Sequence, residues 1–169
     1  MLTMTQGSRS TGSTAQRLNN GSLASKLPFT VFTLKESRLY PAPDVEAQIT
    51  QYSYEGGHYY FDRADAYKKE YAGFHAVTAT DPVGNVRKIY FHQSEFSPDN
   101  ADSAQQGEFQ DHISKKGRIY REEQYDDAGR LFQKTIRTWD KSVLADADTE
   151  GERFFVFLRQ ETAADYDGD

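Results

Sequence analysis

The chain contains no cysteine. That removes disulfide frameworks, thiolate nucleophiles and cysteine-based metal centres from consideration. It has one tryptophan, two methionines and five prolines in 169 residues. No apolar run approaches the ~18 residues that a membrane-spanning helix needs. The longest apolar cluster, Phe154–Leu158, has the length of one buried strand. The opening stretch, MLTMTQGSRSTGSTAQRLNNGS, lacks an apolar signal core and so reads as no conventional secretory signal. Basic residues are outnumbered, with 20 Lys and Arg against 26 Asp and Glu and a net charge of −6. Nucleic-acid binders usually carry a basic patch or stripe, so this balance argues against that class. The hydrophobic fraction is 37%, below the roughly 45–50% (counting glycine) of an average globular domain.

Aromatic residues are plentiful, at 14% with 11 Tyr and 11 Phe. Wide rings with many polar neighbours suit a sheet that buries aromatics and exposes a polar face. The most informative segment is Arg118–Asp140, RIYREEQYDDAGRLFQKTIRTWD. Two runs of β-formers flank Asp126-Asp127-Ala128-Gly129. An Asp at the first turn position bonds the backbone two residues on, and a Gly at the last tolerates positive φ. The same grammar occurs at Asp81-Pro82-Val83-Gly84, 45 positions earlier (126 − 81). Asp81, Gly84, Asp126 and Gly129 are therefore assigned to shaping turns. Tyr90, Tyr120, Tyr125, Leu131, Phe132 and Trp139 are assigned to packing between strands.

The reading along the chain is an all-β, mainly antiparallel meander of hairpins behind a disordered N-terminus. Residues 1–25 are a polar lead-in, and residues 26–169 form the β region. Lys26–Tyr40 is a first strand, broken by Pro41-Ala42-Pro43. Ala47–Tyr54 is a second, with Thr50, Tyr52 and Tyr54 on one face. Asp62–Glu70 is the one stretch with helical propensity, as a turn of helix or an extended loop. Tyr71–Thr80 and Gly84–Gln93 form the first hairpin, with the second strand mid-sheet. Ser94–Ser114 is a long surface loop. Arg118–Trp139 is the second hairpin, Asp140–Gly151 a loop with a helical turn over Ser142–Ala147, and Glu152–Thr162 the last strand.

The string YDDAGRL, residues 125–131, resembles the YD-repeat signature of Rhs proteins, teneurins and the B components of bacterial toxin complexes. A truncated Tyr166-Asp167 repeats its start. The ordered set KLPFTVFTL, ITQYSYEGGHYYFDRADAYKKEYAGFHAVTATDPVGN, IYFHQ and GRIYREEQYDDAGRL is similar to the toxin-complex B and SpvB-like branch, from about Leu27 onward. The first turn departs from the signature, with Thr80 in place of Tyr. The resemblance implies a twisted YD-repeat-like β ribbon, part of a hollow shell that encloses a toxic polypeptide. It implies a secreted bacterial protein with no catalytic centre in this segment, and neighbouring repeats or other toxin-complex subunits as partners. A chain of this length would then be a fragment of a longer protein. The alternative function is a carbohydrate- or cell-surface-binding β module, in which Tyr52, Tyr54, Tyr59, Tyr60 and Tyr71 would stack on surface glycans.

Conventional chemistry is sparse. His58, His75, His92 and His112 form no H-x-x-x-H pair, although His75 and His92 sit where they would oppose each other across the first hairpin. Asp146, Asp148 and Glu150 alternate without the distal bidentate ligand of a calcium loop. Glu122 and Glu123 are adjacent, so a strand puts them on opposite faces, and neither can partner the other as an acid–base dyad. Cross-strand pairing with Lys134 or Arg130 is their plain role. No G-x-S-x-G elbow exists, and Gly56-Gly57 precedes no helix that would cradle phosphate. No cofactor, metal, nucleic acid or membrane span is expected.

Overall fold

The computed structural model describes residues 2–4, 8–10, 27–42, 44–61, 69–93, 111–144 and 153–167. Twelve strands follow in chain order: β1 Leu2–Met4, β2 Ser8–Ser10, β3 Val31–Thr33, β4 Glu36–Leu39, β5 Gln48–Glu55, β6 His58–Phe61, β7 Lys69–Gly73, β8 Ala76–Thr80, β9 Val86–Phe91, β10 Ile119–Tyr125, β11 Leu131–Val143 and β12 Phe154–Asp165. A short 3-10 turn spans Ile113–Lys115. No α-helix occurs among the described residues. Eight strands form one sheet in the order β1-β4-β5-β8-β9-β10-β11-β12, and β2-β3 and β6-β7 form separate two-stranded ribbons. Every pairing is antiparallel. The expected all-β antiparallel class is the observed one.

The two Asp-x-x-Gly turns are built alike. At the first, Asp81 Oδ1 accepts the backbone N–H groups of Val83 and Asn85, both at 2.9 Å, and Asn85 Nδ2 donates to Oδ2 at 2.8 Å. At the second, Asp126 Oδ1 accepts the Arg130 N–H, and Arg130 Nε donates to Oδ2, both at 2.8 Å. In each turn the glycine N–H donates back to the Asp carbonyl. Gly84 and Gly129 sit at φ +100° and +80°. A Cβ built on Gly84 would lie 3.2 Å from the Cβ of Asp127. The two turns, 45 residues apart in sequence, are therefore neighbours at one end of the sheet. Gly129→Val is expected to lower stability by about 1–3 kcal/mol, the cost of forcing a side chain into left-handed backbone. A Cβ there meets nothing within 4 Å, so the whole loss is backbone strain. A chemical denaturation midpoint equal to that of the parent chain would refute this turn assignment.

Several boundaries differ from the sequence reading. The first strand is two: β3 pairs β2, and β4 pairs β5. The change of partner falls at Leu34–Lys35, where the Lys35 carbonyl accepts the Tyr52 N–H at 2.8 Å. The first hairpin is shorter than Tyr71–Thr80 with Gly84–Gln93. Gly73, at φ +80°, turns the chain, so Lys69–Gly73 pairs β6 while Ala76–Thr80 pairs β5 and β9. Strand β9 lies mid-sheet, between β8 and β10. Asp140–Val143 continues β11 instead of opening a loop, because Asp140, Lys141, Ser142 and Val143 find register partners at Phe157, Val156, Phe155 and Phe154. Lys69 and Glu70 are extended. Residues 62–68, 94–110, 145–152 and 168–169, which carry the rest of the helical, loop and turn readings, lie outside the described residues. Within the span read as lead-in, β1 pairs β4 and β2 pairs β3.

Burial is concentrated in one place. Among the described residues, the buried apolar ones are Leu27, Ala72, Ala76 and Tyr120, joined by buried His75, His92, Gln93, Lys115, Arg121 and Glu123. Most of this group lies where the β6–β7 ribbon and the 3-10 turn meet the main sheet. Gln93 Nε2 donates to the carbonyls of Gly56 and Gly73 at 2.7 and 2.9 Å, tying the ribbon's two ends to the end of β9. Lys116 and Glu70 add an ion pair from the 3-10 turn to β7. By contrast Phe155, Phe157 and Leu158 are exposed. The expectation of a buried strand over Phe154–Leu158 fails because β12 is the outer strand of the sheet.

Candidate functional site

Alternation along the strands and the observed register sort side chains onto two faces of the sheet. On one face, Glu122 of β10 accepts from Arg87 of β9 (Nε, 2.8 Å) and from Arg137 of β11 (3.1 Å). Arg137 also donates to Glu161 of β12 at 2.6 Å. The result is an alternating ladder, Arg87–Glu122–Arg137–Glu161, that crosses four strands. Burial works to raise the Glu122 carboxyl, but the two guanidinium bonds outweigh it and hold the group below the ordinary carboxylate range. The same ladder keeps Arg137 charged to higher pH than a free arginine, against its own desolvation. The expected partners for the Glu122–Glu123 pair were Lys134 and Arg130. Lys134 does approach Glu123, at 3.8 Å, but Arg130 is held by Asp126 within its own turn.

The opposite face carries a carboxylate ringed by phenols and cations. Glu123 Oε2 accepts hydroxyl bonds from Tyr90 (3.1 Å) and Tyr125 (2.9 Å). Arg121 and Lys134 stand 3.7 and 3.8 Å from Oε1. The Arg121 guanidinium lies over the Tyr90 ring at 3.7 Å, and Lys88 lies over Tyr125 at 5.3 Å. Burial, with the Glu123 charge beside it, pushes Tyr90 up to about 12. Tyr125 is raised by the same causes, burial first.

Tyr120, at 0% exposure, is the hub of the junction. Its ring centre lies 5.1 Å from that of His92, 6.2 Å from Tyr90 and 6.3 Å from His75. The two histidines thus flank one tyrosine ring. His92 Nδ1 lies 3.0 Å from Asp111 Oδ1, both side chains fully buried. Asp111 Oδ1 also accepts the His112 N–H at 2.8 Å. This pair fastens together the two residues that bracket positions 93–110. Among the described residues, no three His, Asp or Glu side chains converge as a metal site would require.

The other packing residues have different surroundings. Trp139 Nε1 donates to the Ile119 carbonyl at 2.8 Å, and Arg118 covers its ring at 5.0 Å. Leu131 is half-buried, and Phe132 is exposed at 39%. Of the tyrosines considered as a sugar platform, Tyr54, Tyr59 and Tyr71 are linked through Phe29 and Phe74 into one aromatic cluster, Tyr54 lying 5.1 Å from Phe74. Tyr52 faces Ser37 across β4 and β5, with the two hydroxyls 3.4 Å apart. Tyr59 and Tyr71 meet Phe29 edge to face at 5.2 and 5.8 Å, and Tyr71 meets Phe74 at 90°. Edge-to-face contacts of this kind are a preferred way for aromatic rings to pack. A groove of about 570 Å³ beside the first turn is lined by Glu46, Gln48, Gln51, Thr80 and Asp81 among others. The Asp81 carboxylate in that groove is committed to its own turn.

No sequence signal marked Gln93, Lys115 or Asp111. Each is polar, and two flank a stretch that reads as loop. Their burial comes from three elements meeting, which no local pattern encodes.

No curated protein sequence matches the chain. The crystal structure of TcdB2-TccC3-TEV superposes with a TM-score of 0.64 at 18% identity, over 83% of this chain and 9% of that one. The chain thus spans about a tenth of that relative's length, and the likeness is one of fold. The sequence profile of the insecticide toxin TcdB middle/N-terminal region matches residues 7–97. The matched span begins inside the polar lead-in and ends before the second hairpin, so the Asp126–Gly129 turn lies outside it. It holds β2 through β9, including the tyrosine-rich strand and the first Asp-x-x-Gly turn. That span is just over half of the 169 residues, and the chain belongs to the TcdB middle/N-terminal region family.

Proposed function

We propose that this chain is a non-catalytic wall segment of a secreted toxin-complex B-type shell, one that encloses a toxic polypeptide. The observation that carries this reading is how the main sheet is held together. Eight strands lie side by side, and the wide sheet is cross-braced on its faces by the Arg87–Glu122–Arg137–Glu161 ladder and the Glu123–tyrosine cluster. Such bracing suits a wall that must be strong in its own plane with solvent or cargo on either side. Family membership and the shared fold support the same reading. Neighbouring stretches of the shell, and other toxin-complex subunits, are the partners it implies.

The test is a chimaera in which this chain replaces the superposed segment of TcdB2 in its complex with TccC3. We expect the complex to assemble and its enclosed polypeptide to resist added protease as in the parent. A chimaera that folds, by circular dichroism, yet leaves the polypeptide open to digestion would overturn the proposal.

A further inference from the structure

Strand β12 is the longest open edge of the main sheet: twelve residues paired to β11 on one side, with no described strand on the other. Open edges are templates for another strand, and proteins usually blunt them. This one has a register shift beside Thr138–Trp139, where Arg159 is the extra residue. Its first half is nevertheless FFVFL, with Phe155 58% and Phe157 38% exposed and their rings stacked 6.1 Å apart.

The hydrogen-bond phase fixes which positions face outward. Tyr166 N–H donates to the Phe132 carbonyl, and Leu144 N–H to the Arg153 carbonyl, each pair being in register. Antiparallel bonding alternates by two residues. Thr162 and Ala164 at one end, and Phe155 and Phe157 at the other, therefore bond inward to β11. Phe154, Val156, Leu158, Glu161, Ala163 and Asp165 present their N–H and C=O groups outward.

These outward positions match themselves. About a two-fold axis between Arg159 and Gln160, Phe154 meets Asp165 of a second copy, Val156 meets Ala163, and Leu158 meets Glu161. The charges fit the same arrangement. The first half of the edge carries Arg153 and Arg159, and the second half carries Glu161, Asp165 and Asp167, all exposed. Antiparallel pairing sets Arg153 of each copy opposite Tyr166 of the other, between its Asp165 and Asp167, whereas parallel pairing would set like on like. The exposed Phe155 and Phe157 would come to lie beside the small Ala164 and Thr162. Arg159 and Glu161 already reach Asp140 and Arg137 across β11. Those bonds run inward and leave the outward backbone groups available.

We propose that β12 is a self-recognition edge, through which two copies of this chain join antiparallel into one continuous sheet. The proposal stands apart from the shell reading and is tested on the chain alone. Light scattering behind size exclusion, across the micromolar range, is expected to show a discrete species of twice the chain mass that weakens as salt rises. Ala163→Pro removes an outward N–H that β11 does not use, a position where edge strands tolerate proline. It is expected to weaken association at least about tenfold while leaving a cooperative melt. Because the chain has no cysteine of its own, Val156→Cys combined with Ala163→Cys gives a second readout. Directly opposed residues lie within the ~4.4–6.8 Å Cα range of a disulfide, so mild oxidation should yield covalent dimers. A monomer at every concentration overturns the proposal, as does polydisperse aggregation. So does a dimer that survives Ala163→Pro or an oxidised double-cysteine chain that stays monomeric. If Ala163→Pro does not fold, the cross-link alone decides.

Discussion

Replacing Tyr120 with alanine is expected to remove about 3–5 kcal/mol of stability, the usual range for truncating a buried aromatic. Among the described residues, Tyr120 is the one large apolar side chain that is wholly buried, and His75, Tyr90 and His92 all contact its ring. Small domains hold only about 5–15 kcal/mol in total. A loss of this size would therefore leave a substantial unfolded fraction at modest denaturant. Little collapse is expected to refill the space, because the neighbouring rings of His75, Tyr90 and His92 are carried next to or on the paired strands β8 and β9, and His92 is held by the buried Asp111. Tyr120→Phe keeps the ring and its contacts with His75, Tyr90 and His92, and is expected to cost far less than the alanine variant. Urea unfolding of the two variants separates packing from the hydroxyl. A Tyr120→Ala midpoint within error of the parent's would show that the junction is not the folding core. The Tyr120→Ala variant should speed amide exchange in Tyr71–Gly73 and at Gln93, since the ribbon is fastened to the sheet through Gln93, which follows the His92 that packs on the Tyr120 ring.

How much of this was readable in one dimension depends on how local each feature is. Asp81, Gly84, Asp126 and Gly129 were legible because an Asp-x-x-Gly turn satisfies itself within five residues. The class of the fold was legible because aromatic and β-branched runs recur between those turns. The exchanges of partner at Leu34–Lys35 and Phe74–His75 were not. Val31–Thr33 and Glu36–Leu39 have the same strand-forming character, and only the position of β2 and β5 decides that they belong to different sheets. Exposure of Phe155 and Phe157 was hidden for a related reason. An apolar run reads as buried unless one knows that it lies at the edge. The Glu122–Arg137 and Glu122–Arg87 pairs follow from register between strands 15 and 35 residues apart, which proximity in sequence could not supply. One of the four partners of Glu123 was visible, in that Lys134 was named, but Arg121 and the two tyrosine hydroxyls required β9 and the end of β10 to converge.

That cluster yields the second large effect. Glu123→Gln is expected to cost about 3 kcal/mol at neutral pH, the scale of removing one partner from a buried charge pair. It takes the negative charge from between Arg121 and Lys134 and weakens the acceptor of two phenols. The variant also changes the alkaline limb of stability, and the sign follows from linkage. In the folded parent, Tyr90 is raised to about 12 and Tyr125 is raised as well, against roughly 10 for tyrosine in an unfolded chain. A raised folded value means that the stabilisation is fully present below about pH 10 and is lost as pH climbs toward 12. Burial is the larger cause and remains in the variant, whereas the repulsion between phenolate and Glu123 disappears. Tyr90 and Tyr125 should therefore ionise earlier than in the parent, yet later than exposed tyrosines, and the alkaline loss of stability should be shallower. Phenolate absorbance recorded from pH 8 to 12, beside urea midpoints at the same values, measures both. Superimposable titrations of parent and variant would mean that Glu123 exerts no charge on those hydroxyls, and the bracing role assigned to this face of the sheet would fall with it.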